Sequence, residues 1–159
     1  MAQNRGKQFE LVVRRAFEKV PDVSIDRLHD QTTGFIGSSN ICDFVVYRKP
    51  GEFYFECKSV HGNILPFQNI TETQWNGLLE KSKIKGVFAG VICWWVDRNV
   101  TLFIPINALQ IEKEAGKKSI RWDCGLNTGI ECYVVNGKKK RVFFEYDMEV
   151  LLDEISTRG

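Results

Sequence analysis

Charge of one sign is what this sequence most lacks. Its 159 residues carry 22 Lys and Arg against 20 Asp and Glu, a net of +2, so neither a histone-like coat nor a polybasic membrane arm is expected. Histidine is scarce, with only His29 and His61, and the five cysteines are scattered without a C-x-x-C pair, which leaves little basis for a structural zinc site. No apolar run approaches the roughly 20 residues of a membrane span, and no membrane partner is expected. The odd cysteine count, with no apolar stretch after Met1, predicts a reduced, cytoplasmic setting. Repeats, low-complexity tracts and domain-breaking linkers are missing too. With 43% hydrophobic residues, the chain reads as one domain over residues 1–159.

What is there is an alternation of helical and strand periodicity. Phe9, Val13, Ala16, Phe17 and Val20 recur at helical spacing until Pro21, which predicts an amphipathic first helix. A short extended piece over 23–28 leads into a polar, glycine-punctuated loop, 32–40. Strands are expected at 41–48 and 52–58 across Lys49-Pro50-Gly51, a helix at 70–83, and strands at 86–96 and 100–104 turning at Asp97-Arg98-Asn99. The run from Val87 to Trp95 is apolar on both faces, as in a central strand covered by helices on both sides, and Trp94 and Trp95 read as core. A helix over 107–115 and a hairpin of 130–135 with 138–146 about Asn136-Gly137 follow, and a helix from Asp147 to Ile155 closes the chain. The order predicts an α/β fold.

Along Glu52–Lys58 the side chains alternate, so Phe53, Phe55 and Cys57 share one face while Tyr54, Glu56 and Lys58 share the other. If residue 49 stands opposite 52, Asp43 lies across from Lys58 and Val45 across from Glu56. Asp43, Glu56 and Lys58 then converge. A slip of two residues preserves the cluster, whereas a slip of one sends Asp43 to the far face. Both carboxylates end apolar strands, where an unpaired charge is penalised. Two compensations are open: a strand salt bridge to Lys58, or a divalent metal held by the two carboxylates, the Cys57 main-chain carbonyl and waters, a donor set suited to Mg²⁺ with Mn²⁺ as a substitute. Glu10 can join from the first helix or pair with Arg14.

Asp43 followed by Glu56-Cys57-Lys58 resembles the D…(D/E)xK signature of the restriction-endonuclease-like nuclease superfamily. Four ordered blocks, the signature's own among them, narrow the resemblance: Asn4-Arg5-Gly6-Lys7-Gln8-Phe9-Glu10, Phe55–Lys58, Leu65-Pro66-Phe67-Gln68-Asn69-Ile70 with Gln74, and Gly116-Lys117-Lys118-Ser119-Ile120 occur in the order of RecU-type Holliday junction resolvases. The resemblance implies a mixed β-sheet flanked by α-helices, a homodimer, and Mg²⁺-dependent cutting of branched DNA, above all four-way junctions, in a bacterial cell or a phage-infected host. It also implies that Asp43 and Glu56 ligate the metal, that Lys58 serves the attacking water, and that Glu10 completes the acidic site. Gln74 would orient the site or touch a phosphate; otherwise it is a solvated helix residue. The segment from Arg27 to Asn40 is shorter than the family's stalk. This leaves open a nuclease of the same fold with another substrate preference, and a non-catalytic junction-binding module.

DNA contacts are expected at Arg5 and Lys7 beside Glu10, and at Phe35, which either stacks on bases or packs under its loop with Ile36. Lys138, Lys139, Lys140 and Arg141 offer a phosphate-binding strand or, alternatively, a charged edge that discourages aggregation.

Overall fold

The structure, a computed structural model, describes residues 5–28, 40–126 and 128–158. Helix α1 (Arg5–Glu18) precedes β1 (Ser24–Arg27), β2 (Phe44–Arg48) and β3 (Gly51–Val60). After β4 (Ile64–Pro66) come α2 (Glu72–Ser82), β5 (Val87–Trp95), β6 (Val100–Pro105) and α3 (Ile106–Glu114). The remainder is β7 (Ser119–Arg121), β8 (Tyr133–Val134), β9 (Gly137–Lys139), β10 (Phe144–Tyr146) and α4 (Met148–Arg158). Among the described residues, one six-stranded sheet runs in the order β1-β2-β3-β5-β6-β8. The β3–β5 pair is parallel and the other pairs are antiparallel. The expected mixed sheet flanked by helices is what the chain forms.

Alternation along the strands builds a core on each side of the sheet. Phe53, Phe55 and Cys57 of β3 join Ile92 and Trp94 of β5 against α1 and α4, with Phe17 stacked on Phe55 at 5.2 Å between ring centroids. Val91, Cys93 and Trp95 of β5 pack on the other side against Trp75 and Leu78 of α2 and Leu109 of α3. Strand β5 is thus covered on both faces, as its sequence predicts, and Trp94 and Trp95 are both buried. Gly90 sits where an added Cβ would lie 2.3 Å from the Ile104 carbonyl oxygen, so the approach of β6 requires a glycine.

Two local expectations are corrected. The β2–β3 loop consists of Lys49 and Pro50, joined by a cis peptide bond, and Arg48 stands opposite Gly51. The register is therefore two residues from the expected one, Val45 facing Tyr54 instead of Glu56. A shift of two keeps every side chain on its own face.

The second correction concerns Asn136-Gly137. Tyr133 and Val135 are buried in the core, and β8 adds to the edge of β6 instead of pairing with 138–146. The hairpin consists of β9 and β10, with Gly137 opposite Tyr146. Gly137 allows the strands to approach: a Cβ there would lie 2.8 Å from the Glu145 carbonyl oxygen. The short β4–β7 pair has too few residues to show a period in sequence.

Candidate active site

Asp43 immediately precedes β2 and extends its ladder. Its N–H donates to the Phe55 carbonyl at 3.0 Å, and its own carbonyl accepts from the Leu28 N–H at 2.8 Å. Its carboxylate turns toward β3, where Oδ2 accepts the Cys57 N–H at 2.8 Å. Phe55 and Cys57 therefore direct backbone polar groups toward β2, and at Cys57 that strand has not yet begun. An extended residue points its N–H and C=O the same way, so the Cys57 carbonyl faces the Asp43 side.

Glu56 shares a face of β3 with Tyr54 and Lys58, opposite the side chains of Phe55 and Cys57. It is 3% exposed and is one of two buried polar or charged residues among those described. The Lys58 ammonium nitrogen stands 3.0 Å from Glu56 Oε2, and the Gln74 side-chain amide donates to the same oxygen at 3.0 Å. The other oxygen, Oε1, is buried without a hydrogen-bond partner. Burial is the main cause that pushes the Glu56 carboxyl up to about 8, the neighbouring Asp43 adds to it, and Lys58 opposes it. Two carboxylates held together in a low-dielectric site with one bare oxygen are short of positive charge.

Gln74 is fixed from both ends. It is the third residue of α2, and its N–H donates to Thr71 Oγ1 while its side-chain oxygen accepts the Thr71 N–H at 3.0 Å. This capping box uses the amide oxygen, so the amide nitrogen is presented to Glu56. Thr71 is absent from the sequence reading, although the spacing Thr71-x-x-Gln74 ahead of an apolar run signals such a cap.

Glu10 belongs to α1, on the other side of the sheet. It pairs with Arg27 at 3.7 Å, while Arg14 pairs with Glu18, so the alternative Glu10–Arg14 pair does not form. The Glu10 carboxylate is near enough to help burial raise the Cys57 thiol well above its usual range. Among the described residues, no three His, Cys, Asp or Glu side chains are grouped to hold a metal. The oxygen donors near one another are two carboxylates and the Cys57 carbonyl, a set that suits an oxygen-seeking cation that keeps several waters.

The expected DNA contacts are spread out. Lys7 lines a cleft of about 190 Å³ with Glu10, Arg14, Arg27 and Phe44. The Arg5 guanidinium lies over the rings of Trp94 and Phe143, at 5.7 and 5.8 Å. Lys138, Lys139, Lys140 and Arg141 are all exposed; Lys139 donates to the Asn99 side chain and Lys140 pairs with Glu145. Phe35 and Ile36 lie outside the described residues.

No protein-family model and no curated protein matches the chain. Among solved structures it is similar to Hjc, a Holliday junction resolvase from the archaeal hyperthermophile Archaeoglobus fulgidus. The identity is 20% and the TM-score 0.45, over 65% of this chain and 78% of that one. The chemistry is therefore read from this chain's own side chains. No described helix is long and apolar enough to cross a membrane.

Proposed function

We propose that this protein is a Mg²⁺-dependent, structure-selective DNA endonuclease that hydrolyses phosphodiester bonds in branched DNA, four-way junctions foremost. The observation that carries the reading is the bare, buried Glu56 Oε1 beside Asp43, with Lys58 against the same carboxylate. Asp43, Glu56 and the Cys57 carbonyl would hold Mg²⁺, with Mn²⁺ as a substitute. When bound, the cation supplies Lewis acidity at the scissile phosphate and eases deprotonation of water.

The rest of the chemistry belongs to the chain. Lys58, one-fifth exposed at the rim of the site, positions the attacking water and meets the charge that develops on the phosphate oxygens. Gln74 locks the Glu56 carboxylate, and Glu10 with Arg27 flanks the Cys57 side of the strand. Lys7 and the exposed Lys138–Arg141 segment supply phosphate contacts that position the DNA without reading sequence.

The finer assignment to RecU-type resolvases rests on the four ordered sequence blocks. A two-fold symmetric junction needs two matched nicks, which a homodimer delivers. The short segment from Arg27 to Asn40 favours, as a second reading, a nuclease of this fold with a broader choice of substrate. Cleavage of a four-way junction, a flap and a linear duplex, with and without Mg²⁺, tests both. The expected result is metal-dependent cutting with the junction fastest. Equal rates on all three substrates would remove junction selectivity, and no cutting of any would remove the enzyme.

A further inference from the structure

Gln74 apart, two of the sequence blocks, Leu65–Ile70 and Gly116–Ile120, find no place in the chemistry of Asp43, Glu56 and Lys58, and the fold brings them together. Leu65-Pro66 lies in β4 and Ser119-Ile120 in β7, and these strands pair, Leu65 opposite Ile120. They border a cleft of about 750 Å³. Its lining combines apolar Ile64, Pro66 and Ile70 with Lys113, Lys117 and Lys118. Trp75 also lines it, and the Lys113 ammonium sits 4.4 Å from the centre of that ring. Lys117 pairs with Glu112, while Lys118 is exposed and makes no ion pair among the described residues. Glu72 is the only acid among the lining residues.

We infer that this cleft is a second DNA-binding surface that carries one strand of the substrate to or from the catalytic carboxylates. The inference rests on the proposed DNA activity and assigns it a substrate track. Charge complementarity selects the occupant: with Lys117 paired to Glu112, Lys113 and Lys118 stand against the one acid that lines the cleft and suit a phosphate backbone, and the apolar lining suits the faces of sugars and bases. Placement supports it as well. The start of α2 presents Gln74 to Glu56, while Glu72, Trp75 and Asn76 of the same helix line the cleft. A helix is about 10–12 Å across, so a strand with a 3.4 Å rise per nucleotide bridges cleft and carboxylates in about three nucleotides. The lysines would therefore meet phosphates about three nucleotides from the cut.

The test is equilibrium binding of a fluorescent four-way junction, without divalent metal, over a range of salt. The double variant Lys113→Gln/Lys118→Gln is compared with the control Lys83→Gln/Lys85→Gln, whose lysines precede the start of β5, about 20 Å along that strand from Cys93, the residue paired with Lys58. Asn76→Glu places an acid in the cleft without removing a lysine, and thermal melts verify that each variant is folded. Expected for the cleft double variant are an affinity about tenfold lower near 0.1 M salt and a log–log salt slope shallower by about 2. Asn76→Glu should weaken binding as well, and the control should match wild type. Cleft variants that bind like wild type overturn the inference, leaving the nuclease reading intact and the cleft to an acidic protein segment. Binding that depends on the cleft in a chain that never cuts DNA supports the inference and overturns the nuclease reading.

Discussion

Gln74 and Glu56 are joined by a hydrogen bond of 3.0 Å from the Gln74 amide to Oε2, and the cap of α2 fixes which end of that amide points inward. A helix terminus is thereby coupled to a buried carboxylate. Gln74→Ala loses both links and should cost about 1–2 kcal/mol of stability together with most of the cleavage rate. Gln74→Glu separates the two effects. Its carboxylate can still serve the capping box, but it removes the donor to Glu56 and adds a like charge. Thermal melts near the wild-type value with a much lower kcat and unchanged junction affinity are the expected outcome. Wild-type cleavage by Gln74→Glu would reduce Gln74 to a cap.

Much of this site was legible because strand alternation is insensitive to register in steps of two. Glu56 and Lys58 share a face whatever stands opposite, and Asp43 reached them although the true pairing differed by two residues. The reading missed what depends on tertiary competition. Asn136-Gly137 carries a strong local turn signal, but burial of Tyr133 and Val135 draws the preceding segment to β6. Burial on the β6 edge outweighs a local turn preference. Arg27, the partner of Glu10, left no periodic trace because the pair joins a helix to a strand with no fixed spacing.

The pH dependence of stability follows from Glu56. Its carboxyl is raised from 4.5 to about 8 in the folded metal-free chain, so the folded state holds a proton that the unfolded state releases. That contribution is complete below about pH 4.5 and is lost as pH rises through about 8. The metal-free protein should melt at progressively lower temperature across this window, and Glu56→Gln should flatten the dependence. Added Mg²⁺ should raise the melting temperature most at the alkaline end, where the carboxylate is free to bind it. A melting temperature that rises with pH in wild type but not in Glu56→Gln would contradict the assignment.

The central strand offers a test of the fold that is separate from chemistry. Gly90→Ala drives a Cβ to 2.3 Å from the Ile104 carbonyl oxygen, a backbone contact that cannot rotate away. Destabilisation of about 1–3 kcal/mol is expected in urea unfolding. Gly6→Ala, whose added Cβ meets nothing within 4 Å, should show no such loss.

The most direct measurement is cleavage and binding of one labelled four-way junction by wild type, Asp43→Asn and Lys58→Ala, each with Mg²⁺ present and absent. Wild type should cut only with the metal. Both variants should lose cleavage by at least a hundredfold while binding the junction within a few fold of wild type. Cutting retained by either variant, or cutting by wild type in the absence of divalent metal, would contradict the site of Asp43, Glu56 and Lys58.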